Sequence, residues 1–242
     1  MIFFLYYNAA SRKIINMKLN LQQFIVKNFW QKFFFVATAL FLMGFSISLL
    51  IQAAWGTDPC SFMNINIANK IGWTLGNWQV LLNLVLLVIT IMLHPRLIGV
   101  GTLFNMILLG YTADFFTWVW KNIGFNTIMT SPEYFYIRVT VFIAALIIFV
   151  LCAAIYMNCD MGLSPYDAAI KIISLKITKI PYFLIRIIYD LLAIVIGLAA
   201  GKLAVNGVQG YMLGSIIMAF AIGPAITTVG KFMKKHISIF KD

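Results

Sequence analysis

Trp55-Gly56-Thr57-Asp58-Pro59 and Met161-Gly162-Leu163-Ser164-Pro165 are the stretches on which the fold of this chain turns. Each follows a long apolar run, and each carries the motif Gly-x-x-Pro. With 16 Gly and 6 Pro among 242 residues, about 0.4 such motifs are expected by chance. A second pair of markers follows each one. Gly101-Thr102 precedes Gly110, and Gly214-Ser215 precedes Gly223, with the same nine-residue Gly-to-Gly spacing. The intervals between first and second markers differ by seven residues, which the loop Ala200–Gly210 absorbs. The chain therefore reads as an internal repeat, a pattern to be sought before any site is considered.

Around the markers lie six apolar stretches, at about 33–55, 76–93, 97–120, 135–157, 181–200 and 210–230, each long enough to cross a bilayer as a helix. Only His94, Pro95 and Arg96 separate the second from the third, so these two form a tight hairpin. The expected fold is an all-α integral membrane protein of six transmembrane helices, arranged as two three-helix repeats. Repeat 1 covers residues 33–120 and repeat 2 residues 135–230, joined by an extracytoplasmic loop at 121–134. A cytoplasmic or interfacial segment, 1–32, precedes them and a basic tail, 231–242, follows. Met17 is an alternative start. Because each repeat holds an odd number of spans, the second enters the membrane from the opposite side, as in many secondary transporters.

Composition agrees. Hydrophobic residues make up 62% and charged residues 10%, against about 25% charged in soluble domains, and mean hydropathy is +0.95. A soluble enzyme, a disordered chain and a secreted disulfide scaffold are thereby excluded. The net charge of +11 is largely positional. Arg12, Lys13, Lys18, Lys27, Lys32, Arg96, Lys171, Lys176, Lys179, Lys231, Lys234, Lys235 and Lys241 fall on one side of the expected spans, while the opposite loops hold Lys70, Lys121 and Lys202. That asymmetry puts both termini in the cytoplasm of a multi-pass cell-membrane protein. It accounts for the basic charge through the bilayer, with no nucleic-acid partner. The cysteines Cys60, Cys152 and Cys159 have no metal-ligand spacing, and no metal or cofactor is expected.

Locally, each Gly-x-x-Pro motif stops one helix and starts another. Gly56 and Gly162 suit a left-handed helix end. Asp58 and Ser164 are good N-caps, with Pro59 and Pro165 at the first helical position. Asp167 completes a box-like cap with Ser164. Short helices over about 60–70 and 165–177 follow. Either they are interfacial, or they dip toward the membrane centre with their positive N-termini aimed at a solute.

The markers Gly56, Asp58, Pro59, Gly101, Thr102, Gly110 and Asp114, with Gly162, Pro165, Asp167, Gly214, Gly223 and Pro224 in the second half, resemble the YczE/YyaS/YitT group of bacterial membrane proteins. The resemblance covers about residues 35–230. Ser215, where Thr would repeat the first half, and Asn158-Cys159-Asp160 before the second turn depart from the pattern. The resemblance implies a polytopic membrane fold. It adds more to the fold than to the function, for which the group brings a suspicion of transport.

Asp190 falls near the middle of the fifth span, where an unpaired charge is penalised by about 2.5–3.5 kcal/mol. Arg186, four residues earlier, shares its helical face. The pair is either a coupling or substrate site, or an anchor between helices. Asn83, within one residue of the matching position in the second span, and Asn105 and Asp114 in the third complete the candidate substrate-binding or coupling set. Gly101, Gly110, Gly214 and Gly223 are read as helix-packing positions. Catalysis is not expected: the two histidines, His94 and His236, lie outside the spans, and no nucleophile elbow, zinc-binding or ATP-binding motif is present. The leading expectation is a secondary transporter of a small solute, with homo-oligomerisation left open. The alternatives are a membrane-embedded binding subunit serving a separate ATPase, or a structural or regulatory membrane protein.

Overall fold

The structure is a computed structural model that describes residues 26–240. The interfacial segment expected at the N-terminus lies, up to residue 25, outside the described residues, as do the alternative start at Met17 and Lys241 of the tail. The described residues form helices α1 (Phe29–Ala53), α2 (Pro59–Ile71), α3 (Leu75–Leu93), α4 (Val100–Asn122), α5 (Phe125–Thr130), α6 (Phe135–Asn158), α7 (Pro165–Lys176), α8 (Tyr182–Lys202) and α9 (Met212–His236). Two short 3-10 turns join helices, at Pro95–Leu97 and Pro132–Tyr134, a third, Ser238–Phe240, follows α9, and among the described residues there is no strand.

Helix boundaries follow local chemistry. α2 begins at Asp58, whose Oδ2 accepts the Ser61 N–H at 3.0 Å, with Pro59 in the first turn. α7 begins in the same way at Ser164, whose Oγ accepts the Asp167 N–H at 3.0 Å. α3 ends at Leu93 with His94 as its C-cap, directly before Pro95, and α8 starts directly after Pro181. Pro224 lies inside α9, where its ring removes one backbone donor. The hydroxyls of Thr227 and Thr228 bond the carbonyls of Gly223 and Pro224 just there.

Five helices are long and apolar enough to cross a membrane: α1, α3, α6 (counted from Pro132), α8 and α9. The expected third span is present as the 23-residue helix α4 but does not reach the same hydropathy. The reason is visible in its sequence, where Thr102, Asn105, Thr112, Asp114 and Thr117 interrupt the apolar residues.

α1 is the centre of the bundle. Val36, Leu40, Ile47 and Leu50 are almost completely buried, because α4 packs on one side of α1 and α6 on another. In the most apolar window of α1, 56% of residues are buried, against 28% in α3 and α9. Those outer helices turn Leu84, Val85, Val88, Leu213, Ile217 and Phe220 outward, an apolar surface too extensive for water.

Further contacts cross between the halves. α2 packs on α8, and α3 packs on α7. The first Gly-x-x-Pro turn docks against the start of α9: the Tyr211 N–H donates to the Ala54 carbonyl at 3.1 Å, and the Thr57 N–H to Ser215 Oγ at 3.2 Å. The second turn docks against the start of α4, where Gly101 N–H donates to the Met161 carbonyl at 2.7 Å and Leu163 N–H to the Leu97 carbonyl at 3.0 Å. Gly56 and Gly162 have φ of 115° and 101°, a region costly to residues bearing a Cβ. Both are also crowded: a Cβ on Gly56 would lie 2.7 Å from the Ser215 nitrogen, and one on Gly162 would strike Gly99.

Candidate functional site

The N-termini of α2 and α7 meet at a central cavity of about 90 Å³. From α2 come Asp58, Cys60 and Ser61, and from the α7 start Ser164, Tyr166 and Asp167. α3 adds Gln79 and Asn83, α4 adds Asn105, α6 adds Tyr156, and α8 adds Arg186 and Asp190. Met43, Ile47, Leu109 and Phe149 close it with apolar surface.

Arg186 organises the charge. Its Nη1 donates to Asp167 Oδ1 at 2.7 Å, while its Nε lies 3.5 Å from Asp190 Oδ2. Asp190 also accepts the Tyr166 hydroxyl at 2.9 Å, and Asp167 accepts the Ser164 hydroxyl at 2.7 Å. Asp58 is buried, and burial pushes its carboxyl above the ordinary value, offset in part by the Ser61 bonds. Three polar atoms that line this cavity are buried with no hydrogen-bond partner: Asp58 Oδ1, Asn83 Nδ2 and the Tyr156 hydroxyl. A buried polar atom left unsatisfied costs about 1–3 kcal/mol, and three such atoms belong to residues that line one chamber.

A second cavity of about 400 Å³ lies between α8 and α9. It is lined by Tyr182, Phe183, Gly223, Pro224 and Thr227, and shares Met157, Arg186 and Ile226 with the central chamber. Arg186 thus stands at the junction of the two spaces.

Of the residues singled out from sequence, Asn83, Asn105, Arg186 and Asp190 converge on the chamber, joined by the turn residues Asp58, Pro59, Ser164 and Asp167. Asp114 does not. Its carboxylate accepts the N–H groups of Leu75 (3.1 Å) and Gly76 (2.7 Å), so it caps the start of α3. Gly101, Gly110 and Gly214 sit in close contacts, with Met161, with Gly76 and Gln79, and with Trp55 and Gly56. Gly223 touches nothing within 4 Å of a would-be Cβ; it lines the second cavity, because the α8–α9 pair is parted there. Gln79, Tyr156 and Tyr166 were not anticipated. Gln79 had a readable signal, four residues before Asn83 on the same face. Tyr156 and Tyr166 had none, since a tyrosine near a span end ordinarily signals an interface.

A bundle with an apolar exterior, membrane-length helices and a polar centre is a multi-pass helical membrane protein. Within that class, residues 30–231 match a family of unknown function, DUF6198, and the chain belongs to it. It is 25% identical over 191 residues to the uncharacterized protein YyaS of Bacillus subtilis, covering 77% of this chain and 90% of the relative. It is 23% identical over 143 residues to the uncharacterized membrane protein YczE of the same organism, covering 59% of this chain and 62% of that protein. No solved structure matches the chain.

Proposed function

We propose that this protein is a secondary transporter, or permease, of a small solute, working by alternating access between two inverted three-helix repeats. It is a carrier rather than an enzyme. α4 serves as the sixth span, carried across the bilayer by its packing on α1 despite its polar residues. Both termini lie in the cytoplasm, by the distribution of basic residues, and the membrane is the cell membrane.

The observation that carries the reading is that short helices from both halves bring their N-termini to one chamber that also holds Arg186 and Asp190. The packing supports it further. α1 on α4 has its counterpart in α6 on α9, and α2 on α8 has its counterpart in α3 on α7. Exchanging the halves maps each contact onto another, as a pseudo-two-fold axis requires. A cavity opens between α8 and α9 beside Arg186, and an opening next to the charged chamber is what one end of an alternating-access cycle needs. Asp190 is then the group that exchanges a proton, or balances a cation, as the halves rock.

The test is flux. Purified protein in liposomes loaded with a pH-sensitive dye is offered gradients of small amines, amino acids, carboxylates and sugars. One class should drive uptake or a pH change that Asp190→Asn lowers at least tenfold. Solute binding without flux would instead favour a subunit dependent on an ATPase. No response to any solute, with Asp190→Asn merely less stable, would mean a structural or regulatory protein.

A further inference from the structure

Within the central chamber three carboxyl groups, Asp58, Asp167 and Asp190, face one guanidinium, Arg186. Arg186 is already engaged with Asp167 and Asp190. Asp58 also caps α2 and Ser164 caps α7. Three carboxyl groups against one guanidinium leave the chamber richer in acceptors than in cations. What remains is the second oxygen of Asp58, together with the Tyr156 hydroxyl and the Asn83 amide. The residues bearing them are only 8%, 3% and 4% exposed, and none of the three groups' orphaned atoms has a partner. A carboxylate oxygen accepts and a phenol oxygen does either, whereas the orphaned atom of Asn83 is its amide nitrogen, a donor. The Asp58 and Tyr156 oxygens therefore suit a guest that donates hydrogen bonds and carries positive charge.

We propose that the chamber takes a compact ammonium cation, an ammonium ion or a small primary amine, held by Asp58 with Tyr156. This rests on the transport reading for its purpose and deepens it by naming the solute class. Selection rests on hydrogen bonding: methylammonium brings N–H donors to the Asp58 and Tyr156 oxygens, whereas a quaternary amine has none to offer. Among the described residues, no group of three or more His, Cys, Asp or Glu side chains is disposed to hold a metal ion. The arrangement therefore fits a hydrogen-bonded ammonium better than a coordinated ion.

The experiment is thermal unfolding of the purified full chain in N-methylglucamine chloride, titrated at constant ionic strength. The cations are ammonium, methylammonium, sodium, potassium and choline chlorides, and a separate arm replaces chloride with phosphate or acetate. Ammonium and methylammonium should raise the midpoint saturably, by about 5 °C at high occupancy. Asp58→Asn should weaken the apparent affinity at least tenfold and Tyr156→Phe severalfold, whereas Glu133→Gln, an exposed charge far from the chamber, should not. If Asp58→Asn does not fold, the wild-type titration and Tyr156→Phe still decide. Equal stabilisation by sodium or potassium, stabilisation by choline, a response to the anions alone, no response at all, or a response unchanged in Tyr156→Phe would each overturn the proposal. Binding is read here without flux. Stabilisation by ammonium in a protein that moves no amine would therefore refute transport alone, and flux of a sugar or carboxylate with no ammonium response would refute this proposal alone.

Discussion

Arg186 donates a 2.7 Å hydrogen bond to Asp167, which lies on a different helix, while its neighbour Asp190 one turn along the same helix stands 3.5 Å away. The guanidinium thus ties the start of α7 to the middle of α8. It stands between the central chamber and the cavity that separates α8 from α9, so the ion pair is also part of the wall between the two spaces.

Breaking this pair should destabilise unequally. Both side chains retain some exposure, 18% and 15%, so the loss falls below the 3–5 kcal/mol typical of fully buried pairs. We expect about 2 kcal/mol for Asp167→Asn. Arg186→Met should be worse, because it leaves three carboxyl groups with no cation among the chamber residues. Tryptophan-fluorescence melting of both variants checks the order, and equal midpoints would show that Arg186 is not the charge organiser.

The two turn glycines should be intolerant of a methyl group. Gly56→Ala and Gly162→Ala combine a positive φ with a backbone clash, and each should cost more than about 2 kcal/mol. Gly223→Ala, with nothing near its Cβ position, should be neutral or stabilise by roughly 0.5–1 kcal/mol through helix propensity. Yields and melting midpoints of the three variants measure the contrast.

Asp114→Asn tests whether this residue belongs to the solute site. Loss of its charge at the α3 cap should lower stability by about 1 kcal/mol. Solute and cation responses should stay intact. A selective loss of those responses with no change in melting would return Asp114 to the functional set.

Stability should depend on pH through Asp58. Burial raises its carboxyl above the ordinary value, so the folded state holds this proton to higher pH than the unfolded chain does. The stabilisation from that proton is complete below the unfolded pKa and is lost as pH rises through the folded one. The groups around Asp58 are Cys60 on its own helix, Asp167 on α7, Arg186 and Asp190 on α8 and Tyr156 on α6. In N-methylglucamine buffer the midpoint should fall over that interval, and Asp58→Asn should flatten the fall. An identical slope in both proteins would assign it to another group.

Cys60 offers a native reporter of access. It lines the chamber and is partly exposed, whereas Cys152 and Cys159 are buried. Burial and nearby carboxylates push its thiol well above the ordinary value, so labelling by a small methanethiosulfonate should be slow. Thr227→Trp, which narrows the space between α8 and α9, should slow it further. Mass spectrometry of the labelled cysteine reads the rate, and an unchanged rate would mean that the chamber is reached another way.

Much of the architecture was legible in residue order alone. Apolar runs placed the long helices, because helix length and bilayer thickness leave little freedom, although α9 continues beyond the expected 230 to His236. The Asp58-Pro59 and Ser164-Pro165 starts were equally legible, since capping involves residues three apart. The lower hydropathy of α4 is written in its threonines, Asn105 and Asp114. The short-helix question needed the fold, as did the fate of Gly223, which looked like a packing glycine and faces open space.

What the sequence determined by itself was governed by neighbours along the chain: the long helices, the two caps and the i, i+4 placement of Arg186 and Asp190. Gly56 and Gly162 do take positive φ, but the left-handed residues that follow α1 and α6 are Ala54 and Asp160. Tertiary structure alone decided that Arg186 turns to Asp167, that Asp114 caps α3, and that Asp58, Asn83 and Tyr156 present their unpaired atoms to one chamber. Those contacts join residues on different helices, and a helix's periodicity specifies which face is polar without specifying which other helix that face will meet.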